Sequence, residues 1–230
     1  MISTQHKTIF VHIPKVAGQS IETIFLDDLG LKWNQRDALL MRIKKPEEQG
    51  PHRLAHLRAK DYVSLGYIDA ATFDAFFKFS FVRNPYARVL SLYHYLGYSR
   101  IISIEKFVEK VLAKKVSEHH FFYQSQYEYL YSDTGELLVD FVGKLEQLSE
   151  DIKVILSKTG QEGKPMPHVN KSEKGLKRGL TSLLTNPTLL AHLRFDKLLS
   201  NKKVKSLSEH EKEMIYQLYA KDFEHFAYEK

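Results

Sequence analysis

The chain contains no cysteine, which excludes disulfides, thiol nucleophiles and thiolate metal sites together. Proline and glycine are scarce, at 7 and 11 of 230 residues, so the composition is neither collagen-like nor linker-like. No apolar run approaches the roughly 20 residues that a membrane-crossing helix needs. The opening residues, MISTQHKTIF, lack a basic stretch followed by a long apolar one. No secretory signal is visible, and the cytoplasm is the expected compartment. With 43% hydrophobic and 27% charged residues, the chain has the material for a buried core. Lys and Arg outnumber Asp and Glu by 34 to 28, a formal charge of +6. That balance suits an anionic partner such as a nucleotide, an acidic glycan, a nucleic acid or a membrane surface. It also lies within the ordinary spread for this length and decides nothing alone.

The first strong segment is Thr8 to Ile13, short, β-branched and almost continuously apolar, as a strand covered on both faces is. Pro14 ends it. Ile21, Ile24, Phe25 and Leu29 then recur at helical spacing, predicting a helix over 19–29 that Gly30 closes. Residues 31–75 read as helical and irregular. A second buried strand is predicted over 77–82. Asn84 and Pro85 follow as N-cap and first helical residue of a helix to about Tyr95. Further helices are expected at 104–115 and 119–127. Asp133-Thr134-Gly135 reads as a hairpin turn before a strand near 138–142, and Tyr127, Tyr129 and Tyr131 alternate as one face of a strand would. A helix over 149–158, a long loop over 160–185 and helices near 186–199 and 208–222 complete the chain. Strands alternating with helices predict an α/β fold with a mainly parallel central sheet flanked by helices, in one domain over 1–230. In such sheets ligands bind at the carboxyl ends of strands.

Both of the first two strands end in chemistry-bearing residues. After the first come Lys15, Gly18, Gln19 and Ser20. A helix N-terminus offers outward N–H groups and a favourable dipole to an anion. Gly18 permits close approach, Ser20 carries a hydroxyl and Lys15 a mobile positive charge. The order is not that of the nucleoside-triphosphate loop, where Lys directly follows the second glycine. The same residues also fit an ordinary strand–helix turn with a surface lysine. After the second strand, Arg83 presents a planar, permanently charged fork, and Ser91 lies about two helical turns beyond Asn84. A salt bridge for Arg83 and a surface position for Ser91 are the plainer alternatives.

Taken together, IFVHIPKVAGQSIE at 9–22 and FKFSFVRNPYARVLSLYHY at 77–95 resemble the paired motifs of the carbohydrate sulfotransferases that use 3′-phosphoadenosine 5′-phosphosulfate (PAPS). AHLRAKDY at 55–62, FVGKLEQLSEDI at 141–152, PHVNKS at 167–172 and YAKDFEHFAY at 219–228 agree in order, so the resemblance covers nearly the whole chain. Val16-Ala17 stand where relatives often carry Thr-Gly or Gly-Gly, and Gln19 where they carry Thr. The resemblance implies a three-layer, P-loop-like fold. It assigns Lys15, Gly18, Gln19 and Ser20 to the 5′-phosphosulfate, and Arg83 with Ser91 to the 3′-phosphate. It implies PAPS as co-substrate, adenosine 3′,5′-bisphosphate (PAP) as product and a carbohydrate hydroxyl as acceptor. A soluble form is expected, because the chain opens at the first strand where many relatives carry a membrane anchor. No nucleic-acid partner and no stable membrane insertion are expected. Lys171 or Lys174, after His168, are candidates to close over the phosphates, and a solvated lysine-rich loop accounts for them equally well.

Sulfuryl transfer needs a base for the acceptor hydroxyl, in-line geometry and charge neutralisation on the leaving phosphate. Lys15 is the candidate for the leaving oxygen, and no metal is required. Among 11 histidines the base is assigned to His56, which matches a histidine-bearing segment of the relatives. His52, taken as one helical turn earlier, is the runner-up. His12, inside the first strand, reads as structural. A zinc half-site at His52 and His56 lacks a third ligand. Two other functions compete: a phosphotransferase on a related loop, and a non-catalytic basic module that binds a nucleotide or a glycan.

Overall fold

The computed structural model describes residues 1–165, 167, 175–185, 187–194, 204 and 206–230. It divides into two compact units: Met1–Arg83 with Gln126–Val169, and Asn84–Ser125 with Asn170–Lys230.

The first unit is built on a four-stranded sheet in the order β1 (Ile2–Ser3), β2 (Thr8–Val11), β3 (Phe77–Val82), β4 (Phe141–Lys144). β1 pairs antiparallel with β2, whereas β2–β3 and β3–β4 are parallel. The two parallel pairs confirm the expected mainly parallel α/β sheet. All four residues of β2 are buried, which is why its sequence does not alternate. Phe10 lies opposite Phe79 in register, and their rings stack 5.0 Å apart. Phe25 of helix α1 (Gly18–Asp28) stacks on Phe79 at 6.0 Å. A side chain on Gly143 would run into Phe81 and into Asp151 of helix α8 (Leu148–Lys158). α1 and α8 therefore cover the face that carries Phe10, Phe79 and Phe81. Lys78 points the other way, as strand alternation requires. Its ammonium donates to the carbonyls of Phe73, Asp74 and Phe76 at 3.3, 3.4 and 2.9 Å. Those carbonyls close helix α3 (Ala70–Ala75), where a cation complements the dipole. Helices thus lie on both faces of the sheet. Helix α2 (Asp61–Ser64) precedes α3.

The second unit is helical. α4 (Pro85–Tyr95) begins as expected, with the Asn84 side chain accepting from the Ala87 amide at 3.2 Å. Helices α5 (Ile104–Phe107) and α6 (Ala113–Ser117) are joined by a π turn over Val108–Leu112. α9 (Gly175–Thr185) and α10 (Glu209–His225) follow. Leu92, Tyr93, Ile101, Phe107, Leu112 and Ile215 centre the core of this unit.

Four expectations are corrected. The tyrosine run is not a strand: α7 (Gln126–Leu130) is a helix, Tyr129 is buried, and Tyr127 stacks on Tyr131 at 4.3 Å. Residues three and four apart meet on a helix, so alternate tyrosines mislead when the stretch is short. The helix expected over 119–127 reduces to that element. The last strand starts at Phe141, three residues later than expected. The loop expected over 160–185 contains α9, whose Gly175 and Gly179 obscure a helical pattern.

Candidate active site

The loop after β2 is shaped by backbone conformations that its residues rarely adopt. Lys15 has φ 74° and Ala17 φ 64°, with Val16 between them outside the positive-φ region. Alternation of φ in this sense turns successive N–H groups into one concavity, a nest for an anion. Neither residue is glycine, so each left-handed position costs about 1–3 kcal/mol that the surrounding structure must hold in place. Ala17 is also the N-cap of α1, with no side chain to accept from the first turn, and that turn carries no acidic residue. The Ser20 amide donates to the Ala17 carbonyl at 3.0 Å. The loop therefore offers an anion the N-terminal end of α1 without a competing carboxylate. Lys15, Gly18, Gln19 and Ser20 all lie here; Gly18 is buried and Gln19 exposed.

His12, one residue beyond β2, shares the α1 face with Phe10, and the two rings stack at 5.3 Å. Its Nδ1 donates to Glu22 Oε1 of α1 at 2.6 Å, with both residues buried. A Cβ on Gly18 would sit 1.9 Å from His12 Nε2. The missing side chain at position 18 is thus filled by the imidazole, where close approach of a phosphate was the sequence-based reason for glycine.

His56 closes a short 3₁₀ turn, Leu54–His56, and is buried. Its Nδ1 donates to the main-chain carbonyl of His12 at 2.8 Å. That bond places the ring proton on Nδ1 and the lone pair on Nε2, the tautomer a base requires. The rings of His12 and His56 lie 4.5 Å apart. Burial first, then the facing His12, holds the His56 imidazole well below its ordinary range, so it stays neutral. His52 does not lie one helical turn before it. It is exposed, outside any helix, in the stretch that pairs Ile43 with Arg53. The geometry of a two-histidine zinc half-site is absent with it.

Arg83 directly follows β3. Its guanidinium Nη1 reaches the Lys15 carbonyl at 3.5 Å, which brings the two strand-end loops together within the first unit. Its peptide is gripped by the buried side chain of Gln126: the Arg83 amide donates to Gln126 Oε1 at 2.8 Å, and Gln126 Nε2 donates to the Arg83 carbonyl at 2.8 Å. Gln126 and Glu22 were not singled out from the sequence. Gln126 stands in no motif, Glu22 closes the 9–22 motif as an ordinary helical carboxylate, and only the fold reveals what they hold. Ser91 lies in α4, half-buried, in the second unit. His168, Lys171 and Lys174 lie outside the described residues. In the second unit the ligand atoms of Glu105, Glu109 and His210 come within 4.8 Å of one another, but Lys106 already pairs with Glu109 at 2.8 Å.

The sequence pattern of the sulfotransferase family matches residues 1–229. The chain belongs to the sulfotransferase family. Carbohydrate sulfotransferase 14 of Danio rerio is 23% identical over 198 residues, covering 70% of this chain and 48% of that protein. This sulfotransferase-family chain thus spans about half the length of the curated relative it matches. Among the described residues, no helix is long and apolar enough to cross a membrane.

Proposed function

We propose that this chain transfers the sulfuryl group of PAPS to a carbohydrate hydroxyl. The observation that carries it is the meeting of Arg83 with the Lys15 loop at 3.5 Å, which puts two cationic, amide-rich strand ends beside each other. A nucleotide anionic at both its 5′ and 3′ positions is the complementary ligand. The Lys15 loop, with Gly18, Gln19 and Ser20, takes the 5′ end, and Arg83 the 3′-phosphate. Ser91 belongs to the other unit, and its assignment to the 3′-phosphate is carried by the 77–95 motif alone. The match through residues 1–229 supports reading the chain as one sulfotransferase domain. The name of the Danio rerio relative supports a carbohydrate acceptor.

In the reaction, His56 Nε2 takes the proton of the acceptor hydroxyl. The hydroxyl oxygen forms the new bond to sulfur as the bond from sulfur to the 5′-phosphate oxygen breaks. Lys15 and the loop amides receive the charge that develops on that leaving oxygen. The His56 ring is neutral, with a lone pair on Nε2 that can accept that proton.

Calorimetry tests the donor. The expected result is tight binding of PAP, with adenosine 5′-monophosphate much weaker for want of the 3′-phosphate. Preference for ATP with magnesium over PAP would favour a phosphotransferase and contradict the proposal. Binding of PAP without any sulfate transfer would leave a nucleotide-binding module.

A further inference from the structure

From the sequence His12 reads as a structural residue of a buried strand, yet Glu22, Gly18 and His56 all meet on it. Glu22 Oε1 accepts from its Nδ1 at 2.6 Å. Gly18, at the start of α1, lies so close that a Cβ there would be 1.9, 2.1 and 2.4 Å from Nε2, Cδ2 and Cε1 of the ring. Its carbonyl accepts from His56 Nδ1 at 2.8 Å. Side-chain contacts thus run to the phosphosulfate loop and a main-chain contact runs to the base. The ring of Phe10 stacks on the face of the imidazole, and His12 directly follows β2.

We propose that His12, locked by Glu22, is the positioning residue that registers the phosphosulfate loop against the base. The inference rests on the sulfotransfer function proposed above. The imidazole sets how closely Gly18, and with it the left-handed Lys15–Ala17 turn, lies against the sheet. The carbonyl sets the tautomer and direction of His56. A tilt of the His12 ring moves Gly18, and a twist of its peptide turns His56. Glu22 prevents both by holding the ring from α1, the same helix that begins at the loop. His12 touches neither reacting atom in this scheme. It acts through Gly18 and His56, whose mutual placement in-line transfer requires.

Three measurements on the full chain test it. The first is a melting cycle that needs no ligand. In the wild-type background Gly18→Ala drives its methyl into the ring and lowers Tm. In a His12→Ala/Glu22→Gln background, where no buried carboxylate is left alone, the same substitution is neutral or raises Tm, since alanine is the better helix former. The second is ¹⁵N NMR of the histidine side chains. The wild-type His56 ring carries its proton on Nδ1; Glu22→Ala makes the two tautomers mix, and Glu22→Gln, whose amide oxygen still accepts from His12, restores the single form. The third is turnover with PAPS and a glycan acceptor. Glu22→Ala lowers kcat by about 100-fold, the cost of a misplaced group near the chemistry, and Glu22→Gln recovers most of it. An equal Tm loss from Gly18→Ala in both backgrounds overturns the proposal. So does an unaltered His56 tautomer in Glu22→Ala, or an unaltered kcat in an active enzyme. A wild-type chain without transfer activity would remove the sulfotransfer function, while the melting cycle and the NMR would still decide whether His12 holds Gly18 and His56.

Discussion

The side chain of Gln126 closes a two-way clamp on the peptide of Arg83, accepting from its amide and donating to its carbonyl, each at 2.8 Å. The clamp satisfies both main-chain groups of a residue just past a strand end. The clamp fixes the point from which the guanidinium reaches towards the Lys15 carbonyl.

Arg83→Ala and Lys15→Ala are each expected to weaken PAP binding by roughly 10- to 100-fold, the worth of a hydrogen bond to a charged group. Arg83→Lys should recover little, because an ammonium cannot reproduce the fork. Gln126→Ala should weaken binding less than Arg83→Ala and lower stability as well, since it removes both main-chain hydrogen bonds that hold Arg83. Calorimetry on the four variants checks the order. Unchanged affinity in both Arg83→Ala and Lys15→Ala would remove the anion site from these loops.

Ala17 stands in a left-handed conformation at φ 64°. Ala17→Gly removes the Cβ strain, about 1–2 kcal/mol, against a somewhat smaller entropic loss in the unfolded chain. The net expectation is a Tm raised by about 1–2 °C in a chain of this length. Differential scanning calorimetry measures it, and a lowered Tm would show that the loop carries no such strain.

Gly143 tests the packing of α8 on the sheet. A Cβ there would lie 2.6 Å from Phe81 Cε1 and 3.1 Å from Asp151 Cβ. Gly143→Ala should cost about 1–3 kcal/mol through overpacking, seen as a shift of the denaturation midpoint at unchanged slope. A neutral substitution would mean that the Phe81 ring and Asp151 yield to the added methyl without cost.

The depressed pKa of His56 gives stability a pH dependence of definite sign. The unfolded chain binds a proton at this residue near the ordinary value of about 6.5, while the folded chain resists it. Stability from this group is therefore complete above that value and falls as pH drops from it towards the folded pKa. His6 and His120 are shifted the same way by burial, so the test is a difference. His56→Asn should show a shallower loss of Tm between neutral and acidic pH than wild type. Equal slopes would mean that His56 titrates normally. By the same logic, the acid limb of kcat/KM should lie below pH 6.5.

The strand ends that matter were legible because two independent patterns coincided there. Apolar runs without alternation marked β2 and β3, and Pro14 and Pro85 marked where each run stops. The helices that begin at Gly18 and Pro85 followed from caps and spacing. What stayed hidden depends on long-range contact. Glu22 is ten residues from His12 and looks like any helical carboxylate; Gln126 is 43 residues from Arg83. The requirement for glycine at position 18 was visible, but its cause, a ring from the neighbouring strand end, was not. The misplaced tyrosine strand and the hidden α9 show the reverse case, in which a short local pattern fits two periods and tertiary packing decides.

Labelled sulfate reports the proposed transfer itself. Incubating wild type and His56→Ala with ³⁵S-labelled PAPS across a panel of glycans should give label on at least one glycan for wild type. The variant should lose nearly all of that turnover while keeping its affinity for PAP. Label transferred equally by both proteins would contradict the assignment of the base. A wild-type chain that binds PAPS yet labels no hydroxyl on the panel would contradict the proposed transfer to carbohydrate.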